Sequence, residues 1–190
     1  MIFEDIFSGT LSFDMTTFLS ALLIVAAAFA AILLSTLIQK ATDWKNISFI
    51  KNLFSIATLL SVLSALFFGT AAIKNNDGPR KKRAALSAFL SWFLIAIIGV
   101  SSMIFIYPIF PNQIILSVGA VFTSLAVINI LPLPGFLCFS FFKNIFSSFL
   151  SEKMEKAEKY TVFFVFLALF LVARSGCLNI ILNFVMTGSA

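Results

Sequence analysis

With one exception, Arg174, the charged residues of this chain are confined to short gaps between five long apolar runs. That spacing limits the folds open to it. The runs cover residues 15–39, 53–73, 84–107, 114–131 and 160–186. A helix rises about 1.5 Å per residue, so about 20 apolar residues cross a hydrocarbon core of about 30 Å. Composition agrees: 61% of the 190 residues are hydrophobic and 11% are charged, against roughly 45–50% and about 25% in soluble domains. A soluble domain of this size has too little interior to hide so much apolar surface. The expected fold is therefore all-α, a polytopic integral membrane protein forming a single membrane domain.

The runs differ in character. Residues 1–14 are short and acidic, with Glu4, Asp5 and Asp14, and no basic segment marks a cleavable signal peptide. The run 53–73 is weakened by Ser55, Thr58, Ser61, Ser64, Gly69 and Thr70. Turn residues from Lys74 to Pro79 lead into Arg80, Lys81, Lys82 and Arg83, a loop followed by a helix. Pro108 and Pro111 close the third run, and Pro132 and Pro134 close the fourth. Residues 143–159 are expected to form an amphipathic interfacial helix, with Phe146, Phe149, Leu150 and Ala157 on one face. Glu152/Lys156 and Glu155/Lys159 would pair at i,i+4. Arg174-Ser175-Gly176 divides the last run, so 160–187 reads as a spanning helix followed by a partly inserted piece.

The chain contains no histidine. This removes His-based acid–base catalysis, Ser-His and Cys-His nucleophiles and most zinc sites. Cys138 and Cys177 are too few for a disulfide framework and read as small buried hydrophobes. The net charge of +5 does not indicate nucleic acid, because the cations lie between apolar runs, where they set topology. If all five runs span, nine of the thirteen basic residues share the face of the Lys74–Arg83 loop. If 53–73 dips in and returns, Lys40, Lys45 and Lys51 join them, making twelve. The positive-inside rule favours the second arrangement and makes that face cytoplasmic. Trp44 and Tyr107 suit interfacial positions, and Trp92 suits packing or a lipid-facing site.

Asn129-Ile130-Leu131-Pro132-Leu133-Pro134 resembles the Asn-Leu-Leu-Pro-x-Pro motif of the site-2 protease family, the intramembrane zinc metalloproteases. Phe68-Gly69 followed by Pro79–Arg83 and a helix is similar to the loop before the third core helix in short bacterial members. Ile47 to Thr58 resembles their connecting segment, and Glu158-Lys159-Tyr160 with the divided apolar run resembles their C-terminal layout. The resemblance implies a site-2-protease-like core over 15–134 and a bacterial inner-membrane location. It also implies a zinc site, and here the chain departs from the family. The His-Glu-x-x-His stretch corresponds to about Ser35-Thr36-Leu37-Ile38-Gln39, and the Asp expected after the Pro-x-Pro motif is absent from Gly135-Phe136-Leu137-Cys138. No catalytic residue, metal ligand or cofactor is expected. The family's small feature on the third helix appears as Ser91-Trp92-Phe93, which would fill a substrate groove. Asp43 and Asp77 read as solvated loop charge.

The residues singled out for contact are Arg174, Asn129, Arg80, Lys81, Lys82 and Arg83. A charge deep in an apolar run meets a partner subunit or lipid headgroup, or else snorkels to an interface. In the family, an Asn at the position of Asn129 helps hold a substrate strand; otherwise it would cap or bond between helices. The Arg80–Arg83 cluster anchors topology or binds anionic lipid. The leading expectation is a catalytically dead homologue acting as a scaffolding subunit, its partners being other membrane-protein subunits and lipids, not nucleic acid. A non-cleaving regulator binding a partner transmembrane helix, or a small transporter or channel component, are the alternatives.

Overall fold

The computed structural model describes residues 15–42, 55–68, 70–73, 81–145 and 148–187. These are all-helical, with no strand among the described residues. In chain order the helices are α1 (Met15–Thr42), α2 (Ile56–Phe68), α3 (Lys81–Ser101), α4 (Gln113–Asn129), α5 (Phe139–Ile145), α6 (Ser148–Ala157), α7 (Thr161–Ser175) and α8 (Cys177–Thr187). Two helical stretches, Phe18–Thr42 and Lys82–Ile109, are long and apolar enough to cross a membrane.

The second of these is α3 together with a π-helical turn at Ser102–Ile106 and a last helical turn at Tyr107–Ile109. Pro108 has no N–H to give the carbonyl four residues back, and the wider turn lies next to that broken bond. Asn112 then starts α4, its side-chain oxygen accepting from the Ile114 N–H at 2.8 Å. The two helices run antiparallel and almost touch. A β-carbon added at Gly99 would stand 2.6 Å from the Thr123 backbone nitrogen, and one at Gly119 would meet the Met103 side chain at 2.7 Å. One core gathers around this crossing, with Ala28, Ala31 and Ala65 contributed by α1 and α2. A second core gathers Ala72, Ile128 and Phe136 under Ala168 and Leu169 of α7.

Small residues such as Ala28, Ala31, Ala65 and Gly99 sit where helices meet, beside larger ones such as Ile95, Phe122 and Leu125, while Phe18, Leu59, Val162, Phe163, Phe166 and Phe184 face outward. Small residues let helix backbones approach closely.

The run 53–73, for which either a span or a return to the same face is expected, does not form one continuous helix among the described residues. The 13 residues of α2 rise about 20 Å, and Thr70–Ile73 is then a buried, non-helical segment lying back against α2, with Ser61 Oγ donating to the Ala72 carbonyl at 2.6 Å. The segment 143–159 is not one amphipathic helix either. α5 ends at Ile145, and α6 begins at Ser148, with Lys143 of α5 brought within 2.8 Å of Glu158. Phe146 lies outside the described residues. The Glu152/Lys156 pair forms at 2.8 Å, but the helix tightens into a 3-10 turn at Glu158–Tyr160. That turn breaks the register for Glu155/Lys159, and Glu155 instead faces Lys143 at 3.7 Å. The last run divides at Gly176, whose φ of 64° closes α7 in the left-handed region.

Candidate functional site

The Asn129 carboxamide makes four hydrogen bonds in the interior. The last turn of α4 presents it to a fully buried position, because Pro132 and Pro134 stop the helix there and bring the following turn back over its end. Its Nδ2 donates to the Ala71 carbonyl at 2.7 Å and to the Leu125 carbonyl at 2.8 Å. Its Oδ1 accepts from the Ile73 N–H at 2.7 Å and from the Leu137 N–H at 3.3 Å. Both donors and both acceptor positions of the amide are thereby used. The Asn129 backbone carbonyl accepts from the Cys138 N–H at 3.0 Å.

The physical need for this arrangement is plain. Residues 70–73 are buried without helical hydrogen bonds, and every buried peptide group requires a partner. Asn129 supplies partners for Ala71 and Ile73, Ser61 supplies one for Ala72, and Thr70 Oγ1 donates to the Ser124 carbonyl at 3.1 Å. One side chain thus joins α4, the non-helical segment and the turn leading to α5. Trp92 adds a strut, its Nε1 donating to the Ala126 carbonyl at 2.9 Å. Sequence reasoning singled out Asn129 and Trp92. Ser61 and Thr70 stand out in the sequence only as residues that weaken the run 53–73, and Ser124 not at all, since a serine or threonine in an apolar run carries no sign of which carbonyl it will meet.

The stretch 35–39, which the resemblance sets against a zinc-binding segment, lies near the end of α1. Ser35, Thr36 and Gln39 are buried there. The Thr36 hydroxyl donates to the Ile32 carbonyl at 2.8 Å, and Gln39 Nε2 donates to Ser35 Oγ at 3.1 Å. These are neutral groups bonded within one helix, without imidazole, thiolate or carboxylate, and they do not fit zinc. Among the described residues no group of three or more His, Cys, Asp or Glu is placed to hold a metal ion. Ser91 Oγ is buried with no hydrogen-bond partner.

Cys138 sits in the turn after α4, and burial pushes its thiol from 9.0 up to about 12. At pH 9 an exposed thiol is half ionised, whereas this one stays protonated. The folded chain therefore holds a proton that the unfolded chain releases, and this contribution to stability is lost as pH climbs from 9 toward 12. In a Cys177→Ser background, alkylation of Cys138 at pH 8.5 should be at least about ten-fold slower than in denaturant. Equal rates would show the thiol to be accessible.

The other singled-out residues lie apart from Asn129. Lys82 and Arg83 are exposed at the start of α3, Lys81 is its first residue, and Arg80 falls outside the described residues, as do Asp43, Asp77 and Trp44. Arg174 is exposed in the last turn of α7, where the helix dipole favours a cation. It lies about 20 Å along the helix from Thr161.

A cluster that the sequence did not single out ties the α5–α7 connection together. Lys143, only 8% exposed, reaches Glu158 at 2.8 Å and Glu155 at 3.7 Å. The alternation of Glu and Lys through 152–159 was its only signal, and that signal pointed to local pairs.

No family model matches the chain, and no curated protein or solved structure matches it either.

Proposed function

We propose that this chain is a polytopic membrane protein with a site-2-protease-like helical core that does not cleave, and that it serves as a structural subunit of a larger membrane complex. The membrane reading is supported by the many large apolar side chains that face outward and by the small residues at the closest helix crossings. It is also supported by the abrupt change at Tyr160, where a charged segment gives way to the exposed Val162 and Phe163 of α7. In this reading α2 and residues 70–73 form a re-entrant unit, its non-helical backbone covered by α4 and α7 as such a segment requires. The basic end faces the cytoplasm by the positive-inside rule, and the membrane is the bacterial inner membrane.

The observation that carries the non-cleaving, structural reading is the saturated Asn129 amide. A strand from a client protein would need backbone partners at this place, and the chain's own Ala71 and Ile73 already occupy them. For the same reason a regulator that shelters a client helix beside Asn129 is the weaker reading. Ser35, Thr36 and Gln39 are neutral, Gln39 bonded to Ser35 and Thr36 to the Ile32 carbonyl, and none of them is a base that would activate water.

Gentle detergent extraction followed by native electrophoresis tests the proposal. The chain should migrate with a constant set of other membrane proteins in fixed stoichiometry. Migration as a free single chain would sink the structural reading. Stoichiometric zinc in the purified protein would overturn the claim that it is not a metalloprotease.

A further inference from the structure

The antiparallel α3 and α4 place the start of α3 at the same end of the bundle as Asn129. Phe89 of α3 stacks on Phe141 of α5 at 5.2 Å, so α5 lies along the first half of α3. Lys143 of α5 holds the 3-10 turn through Glu158, and Gly135 packs against Thr161 and Val165 at the start of α7. Lys82, Arg83 and Lys159 therefore share one end of the molecule, and all three are exposed.

The acids at this end are occupied. Glu152, Glu155 and Glu158 are the three described carboxylates, and each is ion-paired with Lys156 or Lys143. Among the described residues, what faces outward at this end is an excess of cations. Fold stability does not explain Lys82 and Arg83, because they stand at the positive end of the α3 dipole with no acid in its first turn. On both helices the charged residues give way at once to outward apolar side chains: Leu86 after Arg83, and Val162 after Tyr160. The cations thus form a rim at the level where an apolar surface begins. That is the height of lipid phosphates, and an exposed tyrosine beside Lys159 suits the same level.

We propose that this rim is a binding surface for anionic phospholipid headgroups, with Lys82, Arg83 and Lys159 holding the phosphates. The inference rests on the membrane reading above. Each cation near an anionic surface strengthens binding about five-fold, so three act together by on the order of a hundred-fold.

The full-length chain, purified in mild detergent, is titrated with phosphatidylglycerol or phosphatidylcholine and bound lipid is counted by native mass spectrometry. The wild type should retain phosphatidylglycerol in preference to phosphatidylcholine. The triple variant Lys82→Gln/Arg83→Gln/Lys159→Gln should lose that preference, each single substitution should weaken it, and Lys82→Arg/Lys159→Arg should keep it. Equal retention of the two lipids by the wild type, or an undiminished preference in the triple variant, would overturn the proposal. So would displacement of the lipid by an equal concentration of inorganic phosphate, which would indicate a free-phosphate site. An alkaline carbonate wash of cell membranes separates the two layers of the argument. A chain that washes off defeats the membrane reading, whereas one that stays but shows no lipid preference defeats only the headgroup assignment.

Discussion

Asn129→Leu should lower the melting temperature of the detergent-purified chain by on the order of 10 °C. Leucine fills a similar volume but has no polar atoms. The Ala71 carbonyl and the Ile73 and Leu137 N–H groups would lose the partners that Asn129 gives them in a buried site. Each unpartnered buried group costs about 1–3 kcal/mol, so the sum for the three is on the order of 3–9 kcal/mol. Asn129→Asp distinguishes this account from one based on volume alone. The carboxylate retains acceptors for Ile73 and Leu137 but has no donor for Ala71 and Leu125, and it brings an uncompensated charge into the interior. It should also be strongly destabilising despite its near-identical shape. A leucine variant melting within about 2 °C of the wild type would show that the carboxamide is not the keystone described here.

Gly99→Leu is expected to be comparably damaging for a steric reason. The first added carbon would already lie 2.6 Å from the Thr123 nitrogen and 2.7 Å from its Oγ1, so α3 and α4 must move apart. Backbone cannot yield as a flexible side chain does. Overpacking of this kind costs about 1–3 kcal/mol for small additions, and a leucine exceeds that range. Gly176→Ala supplies the comparison. Its φ of 64° strains an alanine by about 1 kcal/mol, but nothing stands within 4 Å of the added carbon. Unfolding followed with a thiol-reactive dye, which reads the exposure of buried Cys138, should rank wild type, Gly176→Ala and Gly99→Leu in falling stability. Equal loss in the two glycine variants would mean that the helix crossing is not the tight point.

The helical class and the approximate bounds of α1, α3 and α4 were legible in the sequence because apolar length and proline stops are local signals. Gly176 and Arg174 marked the division of α7 from α8 for the same reason. The interior of 53–73 was not legible as a structure. Its hydroxyls weakened the helix pattern, but the partner of Ala71 and Ile73 lies more than fifty residues away at Asn129. The i,i+4 reading of 143–159 found Glu152/Lys156 but missed the neighbouring cluster, because it sees only one helix, whereas Lys143 of α5 meets Glu155 of α6 and Glu158 beyond it. At the candidate site, the prolines and Asn129 stood out together as a motif. The small residues that bring α3 against α4 stood out less, since Gly99 and Gly119 matter only as a facing pair.

The short second helix has a further consequence once the chain is set in a bilayer. Its roughly 20 Å rise stops well short of the far leaflet, while the 28 residues of Lys82–Ile109 exceed the membrane's apolar thickness. Set in a bilayer as proposed, the chain would have a greasy girdle uneven in height around its circumference. Lipids beside the truncated sector would then have to thin or splay to meet it, a deformation that neighbouring proteins with a matching low edge would relieve by lining up there.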